Sequence, residues 1–224
     1  MVRKLIALTM LSALCTATHA EEDASKVNEV DTLKQQGHSV GVITPIFSQL
    51  VMFSFPKGFV PAFENTKGGS YIQESVLTGE NVNKWTQMIT ITGAKNLALN
   101  PNANPKGFAD IMAGGFKSVC PNSFNATSLG ENNFGIYSAF SAVISCGTAS
   151  PTKEQYSESM LLIVIKGDKD YYTIQWAERG DASEIPIKFD STKWTDRLKK
   201  LMPVKLCPIV PGEAAPYPSC VDRK

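Results

Sequence analysis

The side chains that could support chemistry in this chain are carboxylates. Glu74, Glu80 and Glu158 lie in or next to apolar segments. Two carboxyl groups about 5–10 Å apart can share acid and base roles in hydrolysis, provided that burial raises the pKa of one of them. A hydrolase that pairs Glu74 with Glu80 or Glu158 is therefore one hypothesis. Glu74 alternates with Ile72 and Val76, however, so a surface position or an ion pair with a lysine is the simpler interpretation.

Nucleophilic and metal-dependent chemistry find little support in the sequence. The chain has two histidines, His19 and His38, and His38 lies in a polar segment before the first apolar run. The sequence contains no G-x-S-x-G, H-E-x-x-H, C-x-x-C or G-x-G-x-x-G motif and no phosphate-binding loop. We therefore expect a protein that is not an enzyme and that uses no metal and no cofactor.

Residues 1–20 predict an export signal. A basic start leads into an apolar stretch that is too short to span a membrane, and small residues at Thr18 and Ala20 suit signal peptidase. Cleavage near Ala20 would leave a chain that begins at Glu21 and has no later apolar stretch of transmembrane length. An uncleaved anchor is the alternative. The sequence thus predicts a periplasmic or secreted location.

The charge of the chain is nearly balanced, with 22 Lys and Arg against 21 Asp and Glu. Cleavage would remove Arg3 and Lys4, which leaves 20 basic and 21 acidic side chains, a net charge of −1. Such a protein is poorly suited to neutralise nucleic-acid phosphates or to bind anionic membranes through a polybasic patch. We expect no nucleic-acid partner, and a protein, lipid or envelope component as the binding partner.

Four cysteines would remain after the signal and its Cys15 are removed: Cys120, Cys146, Cys207 and Cys220. An even number of cysteines in an oxidising compartment favours two disulfides. Of the three possible connectivities, the pairs Cys120–Cys146 and Cys207–Cys220 each close a short local loop. Four buried free thiols are the alternative.

The pattern of apolar residues predicts an α+β fold. Runs of β-branched and aromatic residues with period two, separated by Gly, Pro and Asn, predict strands. The strand segments are 50–55, 59–64, 70–77, 86–92, 136–146, 158–166 and 171–177. We expect an antiparallel sheet of about six to seven strands, with helices packed on one or both faces.

Two helices and several irregular segments complete this plan. Asn104 and Asp190 are predicted N-caps, and apolar stripes follow both of them. The first stripe contains Phe108, Ile111, Met112, Phe116 and Val119, and the second contains Trp194, Leu198, Leu201 and Met202. Residues 81–85 are predicted to form one helical turn, and residues 122–133 are predicted to form a loop. The domain is predicted to span residues 49–203. A flexible polar lead, residues 21–48, precedes it, and a proline-rich tail held by a disulfide, residues 204–224, follows it.

On the last strand, period two separates two sets of side chains. Tyr172, Ile174 and Trp176 share one face and are predicted to be core residues, whereas Tyr171 and Gln175 are predicted to face solvent.

The segment 71–88 is the most distinctive in the chain. It contains Glu74-x-Val76, Gly79-Glu80 and Trp85-Thr86-x-Met88. This pattern resembles a signature of secreted and periplasmic proteins of Gram-negative bacteria, and the resemblance implies an exported globular protein without implying a reaction. The layout of elements also resembles the extrinsic P subunit of photosystem II, at the level of the fold only.

Two interpretations of this segment remain open. In the first it is a folding device, in which Gly79 permits a turn, Glu80 caps backbone N–H groups and Trp85 folds over the sheet. In the second it forms a ligand groove rimmed by Tyr71, Glu74, Glu80, Trp85 and Thr86. We therefore expect an exported, non-enzymatic binding or accessory protein, with a carboxylate-dependent hydrolase and a secreted host-directed virulence factor as the alternatives.

Overall fold

A computed structural model of the protein describes residues 40–149 and 154–221. Its strands form two antiparallel sheets. A seven-stranded sheet has the order β3-β4-β5-β9-β8-β7-β6, and a three-stranded sheet has the order β1-β2-β10. The strands are β1 (Val40–Ile46), β2 (Gln49–Phe55), β3 (Phe59–Lys67), β4 (Ser70–Leu77), β5 (Gln87–Ala94), β6 (Phe124–Phe134), β7 (Tyr137–Cys146), β8 (Tyr156–Lys166), β9 (Tyr171–Asp181) and β10 (Lys205–Pro208).

The large sheet is covered on both faces, which explains the continuous apolar run of β8. Leu161 and Ile163 pack on one face, whereas Leu162 and Val164 pack on the other. All four side chains are fully buried because other elements cover both faces of the sheet, and β8 is an interior strand between β9 and β7. The predicted α+β fold is confirmed.

Helix α1 (Pro105–Val119) covers one face of the large sheet. Asn104 accepts a hydrogen bond from the Gly107 N–H at 2.7 Å, and proline occupies the first helical position, so the helix begins where the sequence predicts it. The Phe108 ring stacks on Tyr171 of β9, with centroids 5.7 Å apart.

Helix α2 (Ser191–Leu201) and the small sheet cover the opposite face. Asp190 caps α2 by accepting from the Lys193 N–H at 3.0 Å. Trp194 and Leu201 then pack with Phe53 of the small sheet against Trp176 of β9. A short helix α3 (Pro218–Val221) follows the last strand, and no helix in residues 40–149 and 154–221 has the length and apolar character of a membrane span.

Both predicted disulfides are present. Cys120 at the end of α1 is bonded to Cys146 at the end of β7, and Cys207 of β10 is bonded to Cys220 of α3. The second disulfide therefore attaches the C-terminal segment to the small sheet. Two disulfides fit an extracytoplasmic location, where such bonds persist.

Several sequence predictions of secondary structure are wrong. Residues 40–46 of the predicted flexible lead form β1, and residues 205–208 of the predicted irregular tail form β10. Both strands pair with the buried strand β2, which supplies the hydrogen bonds that their composition does not signal. The remaining predicted lead, residues 21–39, lies outside the described residues, as does the predicted signal peptide.

Two further segments differ from the sequence prediction. Most of the predicted loop 122–133 belongs to β6, an edge strand whose polar residues are stabilised by pairing with the buried strand β7. The predicted helical turn 81–85 is a tight turn in which the backbone groups of Asn81 and Lys84 bond to each other. Strand β6 thus depends on pairing with another strand, whereas the turn is closed by hydrogen bonds within residues 80–86.

Burial also corrects three predicted side-chain positions. Tyr171 is buried beneath α1, although the period-two pattern predicted that it faces solvent. Ile111 and Val119 belong to the predicted apolar stripe of α1, but they are 78% and 60% exposed. The residues of α1 that face the sheet are Phe108, Ala109, Met112, Ala113 and Phe116, which recur three or four apart or stand side by side on one face.

Candidate functional site

The predicted groove residues do not lie on one surface. Tyr71 packs into the core on the α2 side of the sheet, and its hydroxyl donates to Glu64 at 2.8 Å. Trp85 packs into the core on the α1 side, next to Val76 and Met88. Because the sheet separates the two aromatic rings, Tyr71 and Trp85 cannot contact the same ligand.

Glu80 and Thr86 instead close the turn between β4 and β5. The Glu80 carboxylate accepts from the Thr86 backbone N–H at 3.0 Å and from the Thr86 hydroxyl at 2.5 Å. Partial burial acts to raise the pKa of Glu80, but these hydrogen bonds outweigh it and hold the pKa below its usual value. The geometry is that of the folding device, with Gly79 at φ +90° as the turn residue.

Trp85 is also occupied by an intramolecular partner. The Arg179 guanidinium lies 3.7 Å from the centre of the Trp85 ring and 4.1 Å from that of Tyr156. Arg179 also donates to Glu158 at 3.1 Å. Arg179 thus occupies one face of the Trp85 ring, and only 8% of Trp85 is exposed, so little of the ring is left for a ligand.

The proposed carboxylate pair is not assembled with Glu158. Glu74 is half-buried, and its burial raises its pKa. Strands β5 and β9 lie between β4, which carries Glu74, and β8, which carries Glu158. Three strand spacings amount to about 14 Å, which exceeds the roughly 5–10 Å separation of a hydrolytic pair.

A different surface combines charge, aromatic groups and a cavity. A cleft of about 400 Å³ lies between α2 and the turn that leads from β2 into β3. Charged side chains form part of its wall, and the remainder is mostly apolar. The lining residues are Pro56, Lys57, Phe59, Leu77, Gln87, Trp176, Lys193, Asp196, Arg197 and Lys200.

Helix α2 supplies most of the charged side chains that line the cleft. Lys193, Arg197 and Lys200 are spaced four and three residues apart, which places them on one face of the helix. Lys200 pairs with Asp196 at 2.7 Å, and Lys193 pairs with Glu178 of β9. Lys57, on the opposite side of the cleft, is exposed and has no ion-pair partner within residues 40–149 and 154–221.

Arg197 is the buried cation of this cleft, with 10% of its side chain exposed. Its Nη2 donates to Glu178 at 2.6 Å and to the Gln87 side-chain oxygen at 3.2 Å. Burial lowers the pKa of Arg197, and the neighbouring Glu178 carboxylate acts in the opposite direction. Its Nη1 is buried and has no hydrogen-bond partner in the described part of the chain.

Aromatic rings form the floor beneath Arg197. The guanidinium carbon lies 5.0 Å from the Trp176 ring centre and 4.6 Å from that of Trp194. Trp176 meets Phe59 edge to face at 5.5 Å, and its indole N–H donates to Gln87 at 3.0 Å. The floor is therefore held in place by hydrogen bonds and ring contacts before any ligand enters.

This arrangement is chemically suited to hold an anion beside an apolar group. The apolar stripe of α2 was predicted from the sequence, whereas the cleft was not. The spacing of Lys193, Arg197 and Lys200 was a visible signal, but cations at that spacing are common on exposed helix faces. Within the described ranges, no group of three or more potential metal ligands occurs.

Comparisons with known proteins place the chain in no family. No family model matches the sequence, and no curated protein matches it. Among solved structures, LpqN of Mycobacterium tuberculosis, a protein involved in cell envelope biogenesis, is similar with a TM-score of 0.44 and 13% identity over 80% of this chain and 97% of LpqN. The Ran-binding protein Mog1p of Saccharomyces cerevisiae is similar with a TM-score of 0.39 and 9% identity, over 74% of this chain and 86% of Mog1p.

Proposed function

We propose that this protein is exported and binds, without catalysing a reaction, a small ligand that has an anionic group and an apolar body. The observation that carries the proposal is Arg197, a buried cation at the α2 cleft with one amino group bonded and the other without a partner. Buried donors are nearly always hydrogen-bonded in folded proteins. Because Nη1 has no exposed surface, a ligand oxygen would satisfy it once the guanidinium rotates toward the cleft.

The rest of the cleft supports a ligand with two chemical parts. Lys57 and Lys200 are exposed on opposite sides and attract an anionic group. Leu77, Phe59 and Pro56 provide apolar surface for the rest of the molecule. A cavity of about 400 Å³ falls within the range of roughly 300–1,000 Å³ in which small-molecule sites are found.

Export and binding together support an accessory role in the bacterial envelope or the secreted fraction. The two disulfides and the predicted signal peptide support export, as does the resemblance of segment 71–88 to secreted proteins. The binding residues of this proposal are those of the α2 cleft, rather than the turn that contains Glu80 and Trp85.

The test uses the protein with both disulfides formed and the indole N–H signal of Trp176 as the NMR reporter. Phenylacetate carries a benzyl group and one negative charge, and benzyl alcohol carries the same group without the charge. We expect phenylacetate to shift the Trp176 signal and to bind at least about tenfold more tightly than the alcohol, because the cleft is cationic. The Trp85 signal, on the other face of the sheet, should not move.

Matched variants locate the site. Lys57→Gln combined with Lys200→Gln should weaken phenylacetate binding severalfold and leave the fold intact, since both side chains are exposed. Lys117→Gln, at an exposed position on α1, is the control and should bind like the unmodified protein. Equal binding of the acid and the alcohol, or equal effects of both sets of substitutions, would overturn the proposal.

A further inference from the structure

The charge of the α2 cleft indicates which anionic group it accepts. We propose that this group is a phosphate monoester rather than a carboxylate; this inference rests on the ligand site proposed above. The phosphate could belong to a soluble ester or to a lipid headgroup, since the recognition chemistry is the same for both.

The first argument is the charge balance of the cleft. Its cations are Lys57, Lys193, Arg197 and Lys200, and the carboxylates that line it or bond to these cations are Asp196 and Glu178. Four cations against two carboxylates leave an excess of two positive charges. A phosphate monoester carries about −1.5 to −2 at neutral pH and so neutralises this excess, whereas a carboxylate carries only −1.

The second argument is the distribution of the donors. Lys57 projects from the turn before β3, whereas Arg197 and Lys200 belong to α2 on the other side of the cleft. A phosphate monoester offers three terminal oxygens, which can accept from donors on several sides at once. A carboxylate has two oxygens in one plane and suits a donor pair on a single side.

The third argument is the state of the individual cations. Arg197 already uses Nη2 for Glu178 and Gln87, so Nη1 is the nitrogen that a ligand oxygen would bond after the guanidinium rotates toward the cleft. Arginine is the residue that most often combines burial, aromatic contacts and phosphate recognition. Lys57 adds a charge that no carboxylate of the described chain neutralises.

The experiment compares three ligands that share one benzyl group: benzyl phosphate, phenylacetate and benzyl alcohol. Their dissociation constants are measured from the Trp176 indole signal at pH 8 and at low salt. Because the second negative charge is attracted by the uncompensated cations, we expect benzyl phosphate to bind about tenfold more tightly than phenylacetate. Lys57→Gln with Lys200→Gln should reduce this preference, and Lys117→Gln should not.

The pH dependence provides a second measurement. The second ionisation of a phosphate monoester has a pKa of about 6, so lowering the pH from 8 to 5 should remove most of the preference for benzyl phosphate. The protein groups that face the ligand are Lys57, Lys193, Arg197, Lys200, Asp196 and Glu178. Phenylacetate is titrated over the same pH range, so that its affinity reports any change in the charge of these protein groups. The preference is the ratio of the dissociation constants of the two ligands.

The outcomes separate this inference from the proposed function. Equal affinities for benzyl phosphate and phenylacetate, both above that of benzyl alcohol, would overturn the phosphate assignment and leave the anion-binding function standing. Failure of both anions to shift the Trp176 signal would overturn both proposals. A preference for benzyl phosphate that is unchanged in the Lys57 and Lys200 variants would also overturn the assignment to this cleft.

A vesicle experiment distinguishes the two sources of phosphate. Sedimentation with phosphatidylcholine vesicles that contain phosphatidic acid, but not with pure phosphatidylcholine vesicles, would assign the phosphate to a lipid headgroup. Absence of sedimentation together with tight benzyl phosphate binding would assign it to a soluble ester. Both results support recognition of a phosphate monoester.

Discussion

Arg197 of α2 donates a hydrogen bond to Glu178 of β9 at 2.6 Å, and this bond attaches the helix to the central strand of the large sheet. Lys193, one turn earlier in the helix, pairs with the other oxygen of the same carboxylate. Glu178 therefore compensates two cations at once and sets the charge of the cleft. This single position links the stability of the fold to the affinity of the proposed site.

Replacing Glu178 with glutamine should affect stability and binding in opposite directions. The variant leaves Arg197 without its main compensating charge, so the free energy of unfolding should fall by about 2–4 kcal/mol. The cleft becomes more cationic, so phenylacetate should bind severalfold more tightly. Urea unfolding and NMR titration measure the two effects. The control is Asp110→Asn, which removes an exposed carboxylate on α1 and should change neither stability nor affinity. If the Glu178 variant lost both stability and affinity, the prediction would be contradicted.

Asp170 connects the β8–β9 hairpin to two other parts of the chain. Its carboxylate is 1% exposed and accepts from the Ser48 N–H at 3.0 Å, the Asn96 N–H at 2.7 Å and the Tyr172 hydroxyl at 3.2 Å. Asp170→Asn places an N–H₂ group among these donors and should lower the free energy of unfolding by about 2–3 kcal/mol. Asp168→Asn, at an exposed position two residues earlier, is the control, and thermal or urea unfolding is the measurement.

The same carboxylate predicts how stability depends on pH. Burial acts to raise the pKa of Asp170, but the hydrogen bonds from Ser48, Asn96 and Tyr172 together hold it below the usual value. A group whose folded pKa is depressed stabilises the protein above its unfolded pKa of about 3.9, and that contribution is lost as the pH falls through the folded pKa. The stability difference between the protein and Asp170→Asn should therefore be constant from pH 7 to 5 and shrink below pH 4. A constant difference down to pH 2 would contradict this assignment.

The Glu80–Thr86 contact offers a direct test of the two interpretations of segment 71–88. If the segment is a folding device, Glu80→Gln and Thr86→Val should each lower the free energy of unfolding by about 0.5–1.5 kcal/mol, because each weakens hydrogen bonds that close the turn. Neither substitution should change the affinity for phenylacetate or benzyl phosphate. A loss of ligand affinity without a loss of stability would instead favour a binding role for this turn.

Much of the architecture was predictable from local patterns. The strand of 158–166 is apolar on both faces, which identifies it as an interior strand, and Asn104-Pro105 and Asp190 mark the starts of the two main helices. The predicted pairing of four cysteines is also confirmed. These features depend on residues close in sequence, where periodicity, capping and loop length are sufficient guides.

Other features depend on partners that are distant in sequence. The strands β1, β6 and β10 have weak local preference and exist because buried neighbours pair with them. Tyr171 was predicted to face solvent because alternation does not reveal that a helix covers the second face of the sheet. Tyr71 and Trp85 are only 14 residues apart, yet the sheet separates them.

The sequence by itself predicted the α+β class, the two main helices and the disulfide pairs, which the structure confirms, because each follows from short-range patterns of polarity and spacing. The export signal stays a prediction. The tertiary structure alone decided the location of the candidate site. Lys57, Gln87, Trp176 and Arg197 come from four separate segments, and only the packing of α2 against the sheet brings them to one cleft. Burial then distinguishes Arg197 from the other cations of residues 40–149 and 154–221, since the surroundings of a charge depend on the fold rather than on its neighbours in sequence.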